Sequence, residues 1–386
     1  PPAGCEVIDA TGLHISPGIY DAHSHTAITG GVNEGSNMVT IECRIEDVIN
    51  AQDANIYRQL AGGTVGALML HGSANPIGGQ SITVKWRWGK RAADLPVRNA
   101  PPGVKFALGQ NPIREDQDRG RQQADRPTDR PRTRMGVMDA IRRAFDDALD
   151  YRKQWDDYRA GRTAVEPRKN LQLEAILEVL DGNRKIHSHG YRADELLALL
   201  RLAEEYGIRV ATLQHVLEGY KIADEMAQHG VGGSTFADWW GYKLEAYDAI
   251  PDNAALMSRR GVVVSVNSDS NDHARRLNFE AAKSVRYGGV SPETALSFVT
   301  IGPAKQLGID RWTGSLEVGK DADLAVWSAA PTSIFAICRE TYVDGVKLFD
   351  FRHDREERAR REQILNEARR LLNGEDDPPP AEPGAA

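Results

Sequence analysis

Cysteine is scarce in this chain. Its 386 residues include three, Cys5, Cys43 and Cys338. They are odd in number and widely scattered, which argues against both a disulfide framework and a thiolate zinc site. No apolar run approaches membrane-spanning length, and a mean hydropathy of −0.47 is too polar for a membrane-embedded protein. Basic excess is missing as well, since net charge is −7 with a pI near 5.9. Without a global positive field there is nothing to attract nucleic acid, and a small molecule is the favoured partner. An initiator methionine is also absent. Pro1-Pro2 opens the chain, and Cys5-Glu6-Val7-Ile8-Asp9-Ala10 already reads like the end of a strand. The expectation is a chain that starts inside a longer protein. A signal peptide could have gone with the missing part, so the compartment stays open: secreted or periplasmic, or otherwise cytoplasmic.

What is present is enough apolar residue, 41%, for a large core. One large catalytic domain with a small appendage is the natural organisation at this length. The stretch around which the rest is arranged is Ser16-Pro17-Gly18-Ile19-Tyr20-Asp21-Ala22-His23-Ser24-His25. Pro17-Gly18 marks a turn, and Ile19 to Ala22 suits a short buried strand that Asp21 interrupts. In extended backbone, residues two apart point to one side, so both imidazoles can reach one metal ion. Taken alone, such a pair is as readily a chance feature of a loop.

Ile45 to Ala61 has helical spacing and stops at Gly62-Gly63. Thr64 to Leu70 reads as a buried strand that delivers a polar, Gly-rich loop, His71 to Gln80. That loop lacks the spacing and the Lys-Ser/Thr ending of a phosphate-binding loop and suits an active-site loop better. Ile82–Trp86 and Val104–Leu108 are further strands. Lys105 inside the second is costly unless its charge is paired or removed; otherwise its head snorkels at the strand end. Arg114 to Arg134 interleaves arginines with acids, which favours a solvated insertion over a nucleic-acid arm.

A long amphipathic helix is expected from Val137 to about Ala160. From residue 171 helices and strands alternate: helices at 171–180, 193–206, 218–229, 246–260, 279–287 and 292–306, strands at 185–189, 208–213, 231–235 and 262–266. Alternation of this kind implies a parallel sheet, and a count of roughly eight strands closes a (β/α)8 TIM barrel. The fold class is therefore α/β, a barrel over residues 16–312 with a small β-sandwich appendage built from the chain ends, residues 1–15 and 313–350. Residues 351–386 form a charged helix and a Pro-rich, acidic end with the composition of disorder.

His23, His25, His187, His215 and Asp269 lie at or just past strand ends, and Lys105 lies within a strand. In a closed barrel those ends converge on one face. Imidazole and carboxylate ligands suit zinc or a similar divalent ion. The ordered set of Pro17 to His25, Ile186-His187-Ser188-His189-Gly190, Leu213-Gln214-His215, Asn267-Ser268-Asp269-Ser270 and Gly314 to Trp327 resembles the amidohydrolase superfamily, in particular its imidazolonepropionase-like and prolidase-like hydrolases. The resemblance runs from residue 6 to about 350. It implies His23 and His25 as ligands from the first strand, His187 from the fifth, His215 from the sixth, and Asp269 from the eighth as ligand and proton shuttle. Catalysis would then rest on Asp269 and His215. Lys105 looks like the lysine that becomes carboxylated and bridges two metals; Gln110, a poor bridge as a neutral amide, and Lys85 are the other candidates. His189 could replace His187 or bind substrate. His71, His189, His273 and Arg275 are candidate substrate-binding residues, with a rim salt bridge as the plain alternative for Arg275.

The implied activity is metal-dependent hydrolysis of a C–N bond in a cyclic amide, a dipeptide-like amide or an aminated ring, through a metal-activated water. Two other readings stand beside it: a non-catalytic scaffold that keeps the barrel, and a metal-using isomerase or decarboxylase of the same superfamily. One or two metal ions, and a homo-oligomer, are left open.

Overall fold

The structure is a computed structural model that describes residues 7–113, 131–239 and 241–373. The first residues of the amino-terminal segment, most of the Arg-rich insertion and the acidic end of the chain lie outside that range.

Eight strands form one sheet in chain order: β2 (Ile19–Ser24), β3 (Thr64–Met69), β4 (Ile77–Lys85), β5 (Gly103–Ala107), β6 (Lys185–His189), β7 (Val210–Gln214), β8 (Gly232–Thr235) and β9 (Val264–Val266). Almost all of their residues are buried, as strands covered on both faces should be. An all-parallel sheet was the expectation, and β4 corrects it by running antiparallel to both neighbours. The link from β3 to β4, residues 70–76, is too short for a parallel crossover, which takes about a dozen residues or more. A hairpin therefore replaces one strand–helix unit. β4 also begins at Ile77, inside the stretch expected to be loop.

No ladder joins β9 to β2 among the described residues. The chain at Phe298 and Val299 stands between them: Val266 N–H donates to the Phe298 carbonyl and Tyr20 N–H to the Val299 carbonyl, both at 2.9 Å. Buried Asp21 ties the same seam. Its Oδ1 accepts from the backbone N–H of His23 (3.2 Å) and of Ser268 (3.1 Å), and its Oδ2 accepts from the Ser268 hydroxyl. The result is a nearly closed eight-stranded barrel.

Helices α1 (Ala54–Leu60), α2 (Arg134–Arg159), α3 (Leu171–Leu180), α4 (Ala193–Glu205), α5 (Ala223–His229), α6 (Asn253–Arg259), α7 (Leu277–Arg286), α8 (Pro292–Ser297) and α9 (Ile301–Gln306) accompany the barrel. The helix expected over 45–61 is broken into a 3-10 turn, Ile45–Val48, and α1, whose first turn is capped by the Asp53 carboxylate. The helix expected over 292–306 divides into α8 and α9, and the break supplies the two carbonyls that close the barrel. The helix expected over 246–260 contracts to α6.

The two chain ends do pair, in the order β1 (His14–Pro17), β10 (Leu324–Trp327), β11 (Cys338–Val343), β12 (Val346–Asp350), all antiparallel. Among the described residues this is one four-stranded sheet; a sandwich is not seen. Among the described residues the first strand is His14–Pro17, preceded by a turn over residues 9–13 with Gly12 at φ +75°; the start of the stretch Cys5 to Ala10 lies outside the described residues. The helix α10 (Phe351–Asn373) follows and buries no residue.

The sheet meets the barrel through a buried ammonium. Lys85 Nζ lies 2.7 Å from Asp321 Oδ2, 2.8 Å from Asp323 Oδ2 and 2.5 Å from Asp344 Oδ1. Because β4 is reversed, this end of it faces away from the mouth of the barrel. That placement removes Lys85 as a metal-bridging candidate.

Candidate metal centre

His23 is the next-to-last residue of β2, and His25 follows that strand directly. His23 Nδ1–H donates to Gln214 Oε1 at 3.2 Å, and the Gln214 amide donates in turn to the Ala22 carbonyl at 3.1 Å. His25 Nδ1–H donates to the Leu70 carbonyl at 2.9 Å. Each bond holds the proton on Nδ1 and leaves Nε2 as an acceptor, as in metal-ligating histidines. The two Nε2 atoms face each other at 3.4 Å. Asp269 Oδ1 lies 3.3 Å from His25 Nε2 and 3.6 Å from His23 Nε2, while its Oδ2 is 3.7 Å from His215 Nε2. Lys105 Nζ reaches to 3.3 Å from His23 Nε2.

These separations suit donor atoms around one ion. At a zinc–nitrogen distance of about 2.0–2.1 Å, the edge of the ligand tetrahedron is ~3.3 Å. Lone pairs and a carboxylate that face one another repel unless a cation lies among them. Both ring nitrogens of buried His189, and Nδ1 of buried His215, also lack a hydrogen-bond partner, a costly state for buried polar atoms. The donor set therefore fits a divalent metal.

Backbone strain helps to aim the ligands. His215 and Asp269 have φ of +64° and +43°, a left-handed conformation that costs a non-glycine residue on the order of 1–3 kcal/mol. Both residues come just after strands, β7 and β9, where the turn swings the side chain back over the barrel mouth.

Electrostatics leave the donors in ligating form. Burial pushes the imidazoles of His23, His189 and His215 well below the ordinary histidine range, so they are neutral. Burial also pushes the Lys105 amine down to about 7, with Asp269 opposing the shift. For Asp269 burial works upward, but His25, His215 and Lys105 outweigh it and hold the carboxyl below its usual value.

Of the expected site residues, His23, His25, Lys105, His215 and Asp269 converge. His187 stays apart from them. It stands level with Lys105 in the ladder, and its ring descends toward the start of β5, where a Cβ on Gly103 would lie 3.2 Å from His187 Nε2. His189 takes the rim position instead, with its ring 5.0 Å from that of His215. His71 is committed to backbone: Nδ1–H donates to the Gly72 carbonyl at 2.8 Å, and Nε2 accepts from Glu34 N–H at 2.7 Å. Both of its ring nitrogens are thereby occupied. Arg275 pairs with Asp272 at 3.3 Å, the rim salt bridge. His273 lies with its ring 4.9 Å from Trp239.

Four features escaped the reading of the sequence. Asp21 and Gln214 hold the seam and orient His23; a lone acid in an apolar strand was the only signal for Asp21. An aromatic wall rises from the cluster, with Phe236 stacked on His215 at 4.6 Å and Trp239 on Phe236 at 4.4 Å. Tyr191 and Lys243 stand beside it.

The sequence profile of the amidohydrolase family matches residues 14–348. The chain belongs to the amidohydrolase family. Amidohydrolases generally bind a divalent metal, in keeping with the donor set described above. A solved amidohydrolase from Thermotoga maritima MSB8 is 32% identical, with a TM-score of 0.81 and 91% of each chain covered. Amidohydrolase tasK of Hapsidospora irregularis is 29% identical over 379 residues, 90% of this chain and 38% of tasK. The chain thus spans well under half of that relative. An imidazolonepropionase of Picrophilus torridus is 31% identical over 106 residues, 25% of this chain and 27% of its own length. At 15% identity and a TM-score of 0.51, a prolidase solved with N-methylphosphonate-L-proline shares the amidohydrolase fold alone, over 91% of this chain and 90% of that one. No helix among the described residues is long and apolar enough to cross a membrane.

Proposed function

We propose that this amidohydrolase cleaves a C–N bond of a small molecule: a cyclic amide, a dipeptide-like amide or an aminated ring. The reading is carried by one observation, the meeting of His23, His25 and Asp269 with their donor atoms within 4.8 Å of one another. His23, His25, His215 and Asp269 serve as ligands, and His189 replaces His187. Lys105, buried and close to losing its charge, is suited to carboxylation and would then bridge two ions. A divalent ion held by these residues, zinc by the donor set, would supply a nucleophilic water near neutral pH and polarise the substrate carbonyl or amidine carbon.

The chain's own groups do the rest. Asp269 accepts the proton of the attacking water on a carboxylate oxygen and returns it to the leaving nitrogen, acting first as base and then as acid. His215, whose Nε2 lies 3.7 Å from Asp269 Oδ2, would share the ion with that carboxylate. The wall of Phe236 and Trp239 gives an apolar substrate face a surface to lie on and keeps bulk water away. Retention of the donor set weighs against a non-catalytic scaffold.

The test is a panel of dipeptides, cyclic amides and aminated heterocycles assayed with and without chelator. Chelation is expected to remove turnover, and Zn or Mn to restore it. Asp269→Asn is expected to lower kcat by about 10²–10⁴-fold with an unchanged circular dichroism spectrum. Activity that persists after complete metal removal would defeat the reading.

A further inference from the structure

A positive charge stands beside the aromatic wall with no carboxylate partner among the described residues. Lys243 lies in the segment between β8 and α6. Its Nζ is 4.5 Å from the centre of the Tyr191 ring and 5.5 Å from that of Tyr242. It donates one hydrogen bond, to Asn111 Oδ1 at 2.9 Å. An ammonium has three protons to donate, and a neutral amide satisfies one without balancing the charge. The nearest acid in sequence, Glu245, forms no ion pair with it: Glu245 Oε1 accepts from the Arg134 guanidinium and from Gln110 N–H, both at 2.7 Å, while its buried Oε2 has no hydrogen-bond partner.

The position of this charge is specific. The Tyr191 ring that carries it lies 4.7 Å from the His189 ring and 6.0 Å from the His215 ring. One aromatic ring thus separates the ammonium from the imidazole cluster. Arg275, the cation the sequence offers for an anionic group, is turned toward Asp272. Lys243 is also partly withdrawn from water: burial lowers its pKa, against the opposing pull of Glu245 and Asp269. A cation that is incompletely solvated gains more from an incoming anion than an exposed one does.

We infer that Lys243 anchors a carboxylate carried by the substrate, so that the compound taken here has an acid group a few bonds from the C–N bond and an apolar portion against Phe236 and Trp239. The substrate class rests on the hydrolase reading; the anchoring itself does not, and it is tested by binding.

The probe is a matched pair, 3-phenylpropanoate and 3-phenylpropanamide, titrated calorimetrically into the metal-loaded full chain. The acid is expected to bind about 10- to 100-fold more tightly than the amide, the range of a charge-assisted hydrogen bond. Lys243→Met should collapse that ratio to within about threefold while leaving the affinity for the amide unchanged, and Lys243→Arg should retain most of it. Three outcomes would overturn the inference. Equal affinities in the parent protein mean there is no anion site. An acid preference that survives Lys243→Met belongs to the metal ions. Loss of binding of both members in Lys243→Met makes the lysine a clamp for its loop. Charge-dependent binding without turnover of any amide would sink the hydrolase reading alone, and turnover of uncharged amides with no acid preference would sink the anchor alone.

Discussion

Two histidines two places apart on one strand face the same way, yet His187 and His189 have different neighbours. Depth separates them. His187 is level with Lys105 and His189 with Ala107 in the β5–β6 ladder, which puts the first in the middle of the barrel and the second at its mouth. Burial drives the His187 imidazole down to about 3, so it packs as a neutral ring against Gly103. His189→Ala is therefore expected to lose bound metal by elemental analysis. His187→Ala should keep its metal and lose unfolding free energy on the order of 1–3 kcal/mol in a urea titration. The opposite pattern would return the ligand role to His187. From sequence alone the two were interchangeable, because ladder register sets depth and local pattern does not carry register. His71 teaches the same lesson: a histidine at a strand end can spend both nitrogens on backbone.

At the scale of the element, β4 decides more than its length suggests. Its reversal delivers Lys85 to the junction with the β1–β10–β11–β12 sheet, where three carboxylates wait. Burial works against the charge on Lys85, but the charge of Asp323 and the hydrogen bonds that Lys85 donates to Asp321 and Asp344 overcome it and raise its pKa. For Asp344 burial likewise opposes ionisation, and the hydrogen bonds of Arg87 and Lys85 outweigh it, so its carboxyl is held below the usual range. The stabilisation from Lys85 is thus present below the ordinary lysine pKa and is lost as pH rises through the raised value. That from Asp344 is present above the ordinary aspartate pKa and is lost as pH falls through the depressed one. The junction is expected to be intact between about pH 4 and pH 10. Lys85→Met leaves the carboxylates, Asp323 fully buried among them, without their counter-charge. A cost of roughly 3–5 kcal/mol is expected, read by denaturant titration at pH 7; a change under about 0.5 kcal/mol would show that the junction contributes nothing. The reversal was hidden in the sequence: with a loop read over His71–Gln80 and the next strand at Ile82, the short link of residues 70–76 could not be seen, and regular alternation further along drew the inference toward an all-parallel sheet.

Across the whole molecule the candidate centre gathers residues from both ends of the barrel sequence, so an ion held there couples β2, β5, β7 and the turn after β9. Binding to the folded state alone stabilises it by mass action, about 4 kcal/mol at free metal a thousand times Kd. The metal-loaded protein should therefore melt several degrees above the chelated one, with the difference growing as metal is raised; coincident melting curves would place the ion elsewhere.

Residue types and their order determined the broad outcome. Strand-and-helix periodicity, His23-x-His25, His215 and Asp269 after strands, and a lysine in an apolar strand are local facts that survive without coordinates, and from them came the barrel, the family and most of the donor set. Tertiary structure alone decided the direction of β4, the single sheet in place of a sandwich, the placing of His189 rather than His187 beside His215, the commitment of His71 to backbone and the placing of Lys243 beside Tyr191. Each depends on which distant segments pack together and at what register. Burial and pairing energies between residues far apart in the chain set that, and no short window of sequence contains both partners.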